Sequence, residues 1–194
     1  MAPLESSMTD YFQRQLVYYA DAHRDRVNSV THIIGNPIIF IGVVLPLFLL
    51  PITVFGVQTS LAPLLVIPAL LLWMVWDVGL GLAIVAAAIP LLFIAGAIAG
   101  RVSVAWLWII SVTLFVLGWA MQIVGHQVFE GKKPTALNNP VQMLISPMYL
   151  FAELFIALGL RPDLAAVLQR SPQPAAPGPP RYPAEGGADV GQTP

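Results

Sequence analysis

Cysteine is absent from the 194-residue chain, and charged residues make up only 10% of it. Without cysteine there can be no disulfides, thiolate metal ligands or cysteine nucleophiles, so a metal would need histidine, carboxylate or other oxygen ligands. The charge is too sparse for a water-facing surface, since an ordinary soluble domain has about 25% charged residues. The net charge of −1 provides no basic excess. Nucleic acid is therefore not an expected partner.

Hydrophobic residues make up 57% of the chain, as in an integral membrane protein. Runs near 20 residues suit a hydrocarbon core of about 30 Å, and four such runs are visible. We expect an all-α membrane bundle of about four transmembrane helices, with N- and C-terminal interfacial helices. The expected spans are 33–50, 61–76, 80–100 and 102–124. We expect residues 1–170 to form the membrane-embedded domain and residues 171–194, which are rich in Pro, Gly and Ala, to form a disordered tail.

The distribution of positive charges predicts the orientation of the protein in the membrane. Among nine Lys and Arg residues, only Arg101 falls in a loop that four spans place opposite the termini. Both termini are therefore expected on the cytoplasmic side. The polar N-terminal segment does not resemble a signal peptide, so we expect the first apolar helix to direct membrane insertion.

All three histidines, His23, His32 and His126, fall near predicted cytoplasmic helix ends. His126 and Glu130 are four residues apart, as are Asn28 and His32, and this spacing places both members of a pair on one helical face. Such pairs can supply metal ligands or a side chain that orients a histidine. The alternative is that these histidines are amphipathic anchors at the membrane interface.

His23 and His32 are nine residues apart, which places them on opposite faces of an unbroken helix. The polar stretch HRDRVN between them predicts a break, with Asn28 capping the next helix, so that both rings point inward.

Other polar residues have two interpretations each. Glu153 lies in an apolar helix, where an acid must be paired, protonated or bound, so it is either half of a structural ion pair or functional. Lys132 and Lys133 either contact lipid headgroups or attract an anionic substrate. Asp77 stands alone in a tight turn, which indicates a turn or cap residue.

Several chemistries find no support. The chain has no glycine-rich phosphate loop, no G-x-S-x-G elbow and no HExxH motif. The middle of every predicted span is apolar, unlike a proton-driven transporter with ionisable groups at the midplane.

Two polar blocks resemble a known family. YYADAHRDRVNSVTHIIGNP and GWAMQIVGHQVFEGKKPTALNNPVQMLISPMYLFAELFIALGL are similar to the signature blocks of the yeast-type 2-hydroxy fatty acid dioxygenases, small membrane proteins of fatty acid α-oxidation. The resemblance extends over most of residues 11–160, and between the blocks only hydropathy matches. The chain departs from the family by reading AGRVSV where a further histidine is expected, and by Thr135 within the P-T-A-L sequence.

The resemblance implies an Fe(II)-dependent dioxygenase that uses O2 to shorten 2-hydroxy fatty acids by one carbon. Because the sequence shows no organelle-targeting signal, we expect the protein in a bacterial inner membrane. The resemblance also implies His23, His32 and His126 as iron ligands, with Glu130 as a ligand or catalytic companion. Asn28, Glu130, Glu153 and Lys132 are the expected supporting or substrate-binding residues. A metal-dependent lipid hydrolase and a noncatalytic membrane scaffold are the alternatives to be tested.

Overall fold

The computed structural model describes residues 8–168, so the predicted tail at 171–194 lies outside the described residues. The described chain is a helical bundle. Its α-helices are α1 (Asp10–Asp21), α2 (Arg26–Val44), α3 (Leu61–Trp76), α4 (Val78–Ala99), α5 (Val104–Val124), α6 (Gln142–Ala157) and α7 (Pro162–Leu168). The 3₁₀ turn Leu45–Leu49 extends α2, the π-helical turn Gly125–Glu130 extends α5, and the 3₁₀ turn Thr135–Leu137 precedes α6.

The expected break between His23 and His32 is present, but its cap differs from the expectation. Asp25 caps α2 by accepting hydrogen bonds from the N–H groups of Val27 and Asn28. The prediction that Asn28 is the cap was therefore wrong. An aspartate at this position accepts from the first free N–H groups of the helix, so α2 begins at Arg26, seven residues before the predicted span.

Small residues join α2 and α5 as antiparallel neighbours. A Cβ atom added to Gly42 would lie 2.8 Å from the Phe115 backbone nitrogen, and one added to Gly35 would lie 3.2 Å from the Gly118 carbonyl. Ser111 donates a hydrogen bond of 2.6 Å to the Gly42 carbonyl. Such close backbone approach is typical of packed membrane helices, because dispersion contacts replace the hydrophobic effect there.

The α3–α4 hairpin turns at Asp77, as the sequence predicts, and Asp77 accepts a hydrogen bond from the Leu80 N–H. The expectation that Asp77 stands alone was wrong. Its buried carboxylate receives two hydrogen bonds from the Arg161 guanidinium, of 3.0 and 2.9 Å. This bidentate geometry compensates for the cost of burying the charge and ties the segment after α6 to the hairpin.

Within residues 8–168, three helical segments are long and apolar enough to cross a membrane: Arg26–Leu49, Val78–Ala99 and Val104–Glu130. The count rises to four if the bent pair α6 and α7 forms one span. The predicted second span is present as α3, but its 16 residues make it shorter than these segments.

An antiparallel hairpin connects α2 and α3, pairing β1 (Pro51–Val54) with β2 (Val57–Ser60). The expected all-α bundle included no strands there. The turn uses positive φ at Phe55 and Gly56, a backbone conformation that glycine adopts readily. The hairpin lies at the end of the bundle away from the histidines.

Replacing Gly42 with Ala tests the α2–α5 contact. The new methyl group would push against the Phe115 backbone, and overpacking of this kind costs about 1–3 kcal/mol. We expect a lower thermal unfolding midpoint in detergent. Gly96→Ala in α4 is the matched control, because the new Cβ atom would lie 3.4 Å from its nearest neighbour, the Phe48 ring. An equal effect of both substitutions would contradict the close-contact account.

Candidate metal centre

The three histidines converge at one end of the bundle, as the sequence predicts. His23 follows α1, His32 lies on α2, and His126 lies on the π-helical turn after α5. Each side chain offers one ligand atom, and these atoms all lie within 4.8 Å of one another. All three are buried, with exposed fractions of 2–3%.

Backbone carbonyls fix the protonation of two imidazoles. His23 Nδ1 lies 2.7 Å from the Tyr19 carbonyl, and His32 Nδ1 lies 3.0 Å from the Asn28 carbonyl. A carbonyl only accepts, so each Nδ1 carries the proton and each Nε2 keeps its lone pair. The two Nε2 atoms then face each other at 3.4 Å. Two lone pairs at this distance repel each other, and a cation near both nitrogens would remove that repulsion.

Burial lowers the pKa of His23 to about 2, and the neighbouring His32 lowers it further. The Tyr19 ring stacks on His23 with centroids 3.7 Å apart, and burial raises the pKa of its phenol. His23 is therefore neutral near pH 7, which is the protonation state that a metal ligand requires.

Gly125 allows the His126 turn to approach α2. A Cβ atom added to Gly125 would lie 2.5 Å from Asn28 Oδ1 and closer still to Thr31 Oγ1. The π-helical turn begins at this glycine, and single π turns are frequent at functional sites. Any side chain at position 125 would therefore clash with α2, so the position before His126 requires glycine.

Glu130 holds the chain between His23 and α2. Its carboxylate accepts hydrogen bonds from the backbone N–H groups of Arg24 (3.1 Å) and Asp25 (2.8 Å), and from the Asn28 side chain at 3.3 Å. Glu130 lies outside the group of convergent ligand atoms. Its contacts fix the position of His23 relative to His32, whereas a role as metal ligand stays a prediction.

Glu153 reaches the site through Tyr149. The Tyr149 hydroxyl lies 2.7 Å from Glu153 Oε1 and 3.0 Å from the His23 carbonyl. None of the ion pairs formed within residues 8–168 includes Glu153, so the structural ion pair considered from the sequence is not formed there. A functional role of Glu153 stays a prediction.

Lys132 is at the surface. Its ammonium donates a hydrogen bond of 2.6 Å to the Asp21 carbonyl and lies 4.0 Å from the Asp21 carboxylate. Its proposed attraction of a substrate carboxylate would therefore act from outside the buried centre.

A cavity of about 240 Å³ adjoins the histidines. Its polar lining includes Asn36, Gln122, Gln142 and Ser146, none of which was expected from the sequence to be a site residue. Gln122 donates to Asn36 at 2.7 Å, and Asn36 donates to Ser146 at 2.9 Å. The sequence could have identified Asn36 and Gln122, because both are amides inside apolar spans and each is four residues from a histidine.

A sequence profile described as "2-hydroxy-palmitic acid dioxygenase Mpo1-like" matches residues 9–157 of the chain. The chain belongs to the Mpo1-like family. The resemblance stated from the two polar blocks is thereby confirmed.

The family includes a curated relative, the 2-hydroxy-palmitic acid dioxygenase MPO1 of Saccharomyces cerevisiae. It is 42% identical over 57 residues, which cover 29% of this chain and 33% of the yeast protein. The matched region thus spans about a third of the length of that relative. No solved structure matches the chain.

The residues present fit a metal ion. His126 Nδ1 is buried without a hydrogen-bond partner, although a buried polar atom without a partner is costly. The nearest ligand atoms of the three imidazoles lie within 4.8 Å of one another, and the Nε2 atoms of His23 and His32 lie 3.4 Å apart. Imidazole is a common ligand of iron, zinc, copper and nickel, so the donor set allows iron without selecting it.

Replacing His23, His32 and His126 singly with Ala should remove most of the bound metal. Loss of a supporting residue typically weakens metal affinity by about 10–100-fold, and loss of a ligand should weaken it further. Glu130→Gln and Glu153→Gln are the comparison variants, and they should retain more metal than any histidine variant. Metal content after anaerobic purification is the measurement. Full iron occupancy in His126→Ala would contradict the assignment.

Proposed function

We propose that this protein is an Fe(II)-dependent membrane dioxygenase that shortens 2-hydroxy fatty acids by one carbon. The observation that carries the proposal is the buried group of three imidazoles, two of them with Nε2 held free by backbone carbonyls. Membership of the Mpo1-like family and the name of the yeast relative support the substrate class.

The reaction balances with O2 as the oxidant. One 2-hydroxy acid and one O2 give the acid shortened by one carbon, one CO2 and one water. The bond between C1 and C2 breaks, C1 leaves as CO2, and C2 becomes the new carboxyl carbon. All the electrons that reduce O2 come from C1 and C2, so the reaction needs no separate reductant.

Bound Fe(II) would supply the place where O2 meets the hydroxyl and carboxylate of the substrate. His23, His32 and His126 would hold it. Tyr19 covers one face of His23, and Glu130 and Asn28 fix the segment between His23 and His32. The burial of the imidazoles keeps bulk water away from the reacting groups.

The reactive end of the bundle is proposed to face the cytoplasm of a bacterial cell. Arg24, Lys132 and Arg161 lie at this end, where their side chains contact Asp21 and Asp77. Arg101 lies at the opposite end, between α4 and α5. This distribution supports the orientation that the positive charges predict.

Oxygen uptake with a 2-hydroxy fatty acid tests the proposed reaction. Anaerobically purified, Fe(II)-loaded protein in detergent should consume O2 and release CO2 and the acid shortened by one carbon, both identified by mass spectrometry. The 3-hydroxy isomer is the matched control substrate. It should be consumed much more slowly, because its hydroxyl and carboxylate are one carbon further apart.

The alternatives give different results. A hydrolase would release a product without O2 uptake, and a noncatalytic scaffold would show neither. Either result with iron-loaded protein would contradict the dioxygenase proposal.

A further inference from the structure

Two facing helices line the cavity with the same spacing of residues. On α2 the lining residues are His32, Asn36, Ile39 and Val43; in and beyond α5 they are His126, Gln122, Trp119 and Phe115. Both series step by four, three and four residues, which keeps them on one face of a helix. Each helix therefore presents one continuous stripe to the cavity.

Both stripes change from polar to apolar residues in the same direction along the groove. Histidines occupy one end, the hydrogen-bonded pair of Asn36 and Gln122 follows at 2.7 Å, and the remaining positions are apolar. The helices are antiparallel, and their register is fixed where Gly42 meets the Phe115 backbone. The result is a groove with a polar end at the proposed metal and an apolar end about three helical turns away.

The groove has the reach for part of a lipid chain. His32 and Val43 are eleven residues apart, as are Phe115 and His126, which corresponds to about 16 Å along a helix. This reaches roughly to the middle of a hydrocarbon core of about 30 Å. Val43 and Phe115 are 46% and 42% exposed on the outside of the bundle, so the apolar end is open towards the lipid.

The polar end has an unpartnered acceptor. Gln142 lines the cavity and is 1% exposed, yet its Oε1 atom has no hydrogen-bond partner. A buried acceptor of this kind matches a ligand whose head carries a hydroxyl donor. The cavity of about 240 Å³ is smaller than the usual range of about 300–1,000 Å³ for an enclosed drug-sized ligand. A long chain must therefore extend out of it.

We propose that the groove between α2 and α5 is the acyl-chain site, and that a single-chain 2-hydroxy acid enters it sideways from the bilayer. The head lies at the histidines, and the chain runs past Ile39 and Trp119 and leaves between Val43 and Phe115. This inference rests on the proposed function for the identity of the head group. Beyond the reaction, it specifies the path of the acyl chain and the residues that determine the preferred chain length.

Val43→Trp tests the site by filling its exit. The kcat/KM for long-chain 2-hydroxy acids should fall relative to that for short-chain acids, by about fourfold for each methylene removed from apolar contact. Val116→Trp is the matched control, because Val116 is 58% exposed on α5 and does not line the cavity. Its chain-length profile should equal that of the unmodified protein. Equal chain-length profiles for the unmodified protein, Val43→Trp and Val116→Trp would overturn the proposed acyl-chain site.

Photolabelling tests the path without turnover. A 2-hydroxy fatty acid with a diazirine at its methyl end is irradiated with the protein in vesicles, without O2, with and without excess unlabelled acid. Labelling that the competitor removes should map near Val43 and Phe115 and disappear in Val43→Trp. Competitor-sensitive labelling elsewhere, or none, would overturn the proposal.

The two proposals can fail separately. Specific labelling of the groove without O2 uptake for any 2-hydroxy acid would refute the reaction and leave the chain site. O2 uptake with an unchanged chain-length profile in Val43→Trp would refute the chain site and leave the reaction.

Discussion

The lone pairs of His23 Nε2 and His32 Nε2 face each other across 3.4 Å. Because Nδ1 of each ring donates to a backbone carbonyl, neither Nε2 carries a proton to place between them. The buried His126 adds a nitrogen without a partner. Facing lone pairs raise the energy of the folded protein when no cation is bound and become ligands when one is. Contacts around the site hold the three imidazoles in this arrangement.

Three kinds of contact maintain the arrangement. Glu130 binds the backbone after His23 and so fixes the break between α1 and α2. The absence of a Cβ at Gly125 lets the His126 turn approach Asn28 and Thr31, and Gly42 does the same for the α2–α5 contact. The ion pair between the buried Asp77 and the half-buried Arg161 attaches the segment after α6 to the α3–α4 hairpin. The imidazoles are thus positioned by helix packing and by polar contacts that reach across the sequence.

Local patterns predicted α3 at its observed bounds and the convergence of the three histidines, because hydropathy and positive charge place their helix ends on one side. The same patterns missed contacts between distant segments. Asp77 and Arg161 are 84 residues apart, and no local signal connects them. Asp25 and Asn28 are both good cap residues, so only the tertiary position of the turn decides between them. The π-helical turn depends on the space at Gly125, which periodicity does not reveal.

X-ray absorption at the iron edge of the anaerobically loaded protein counts imidazole ligands without requiring turnover, and so shows whether the three histidines hold one iron. We expect scattering from three imidazoles in the unmodified protein and from two in any histidine variant that still retains iron. Iron bound without imidazole scattering, or with a signal unchanged after loss of one of the three histidines, would show that these histidines are not the ligands.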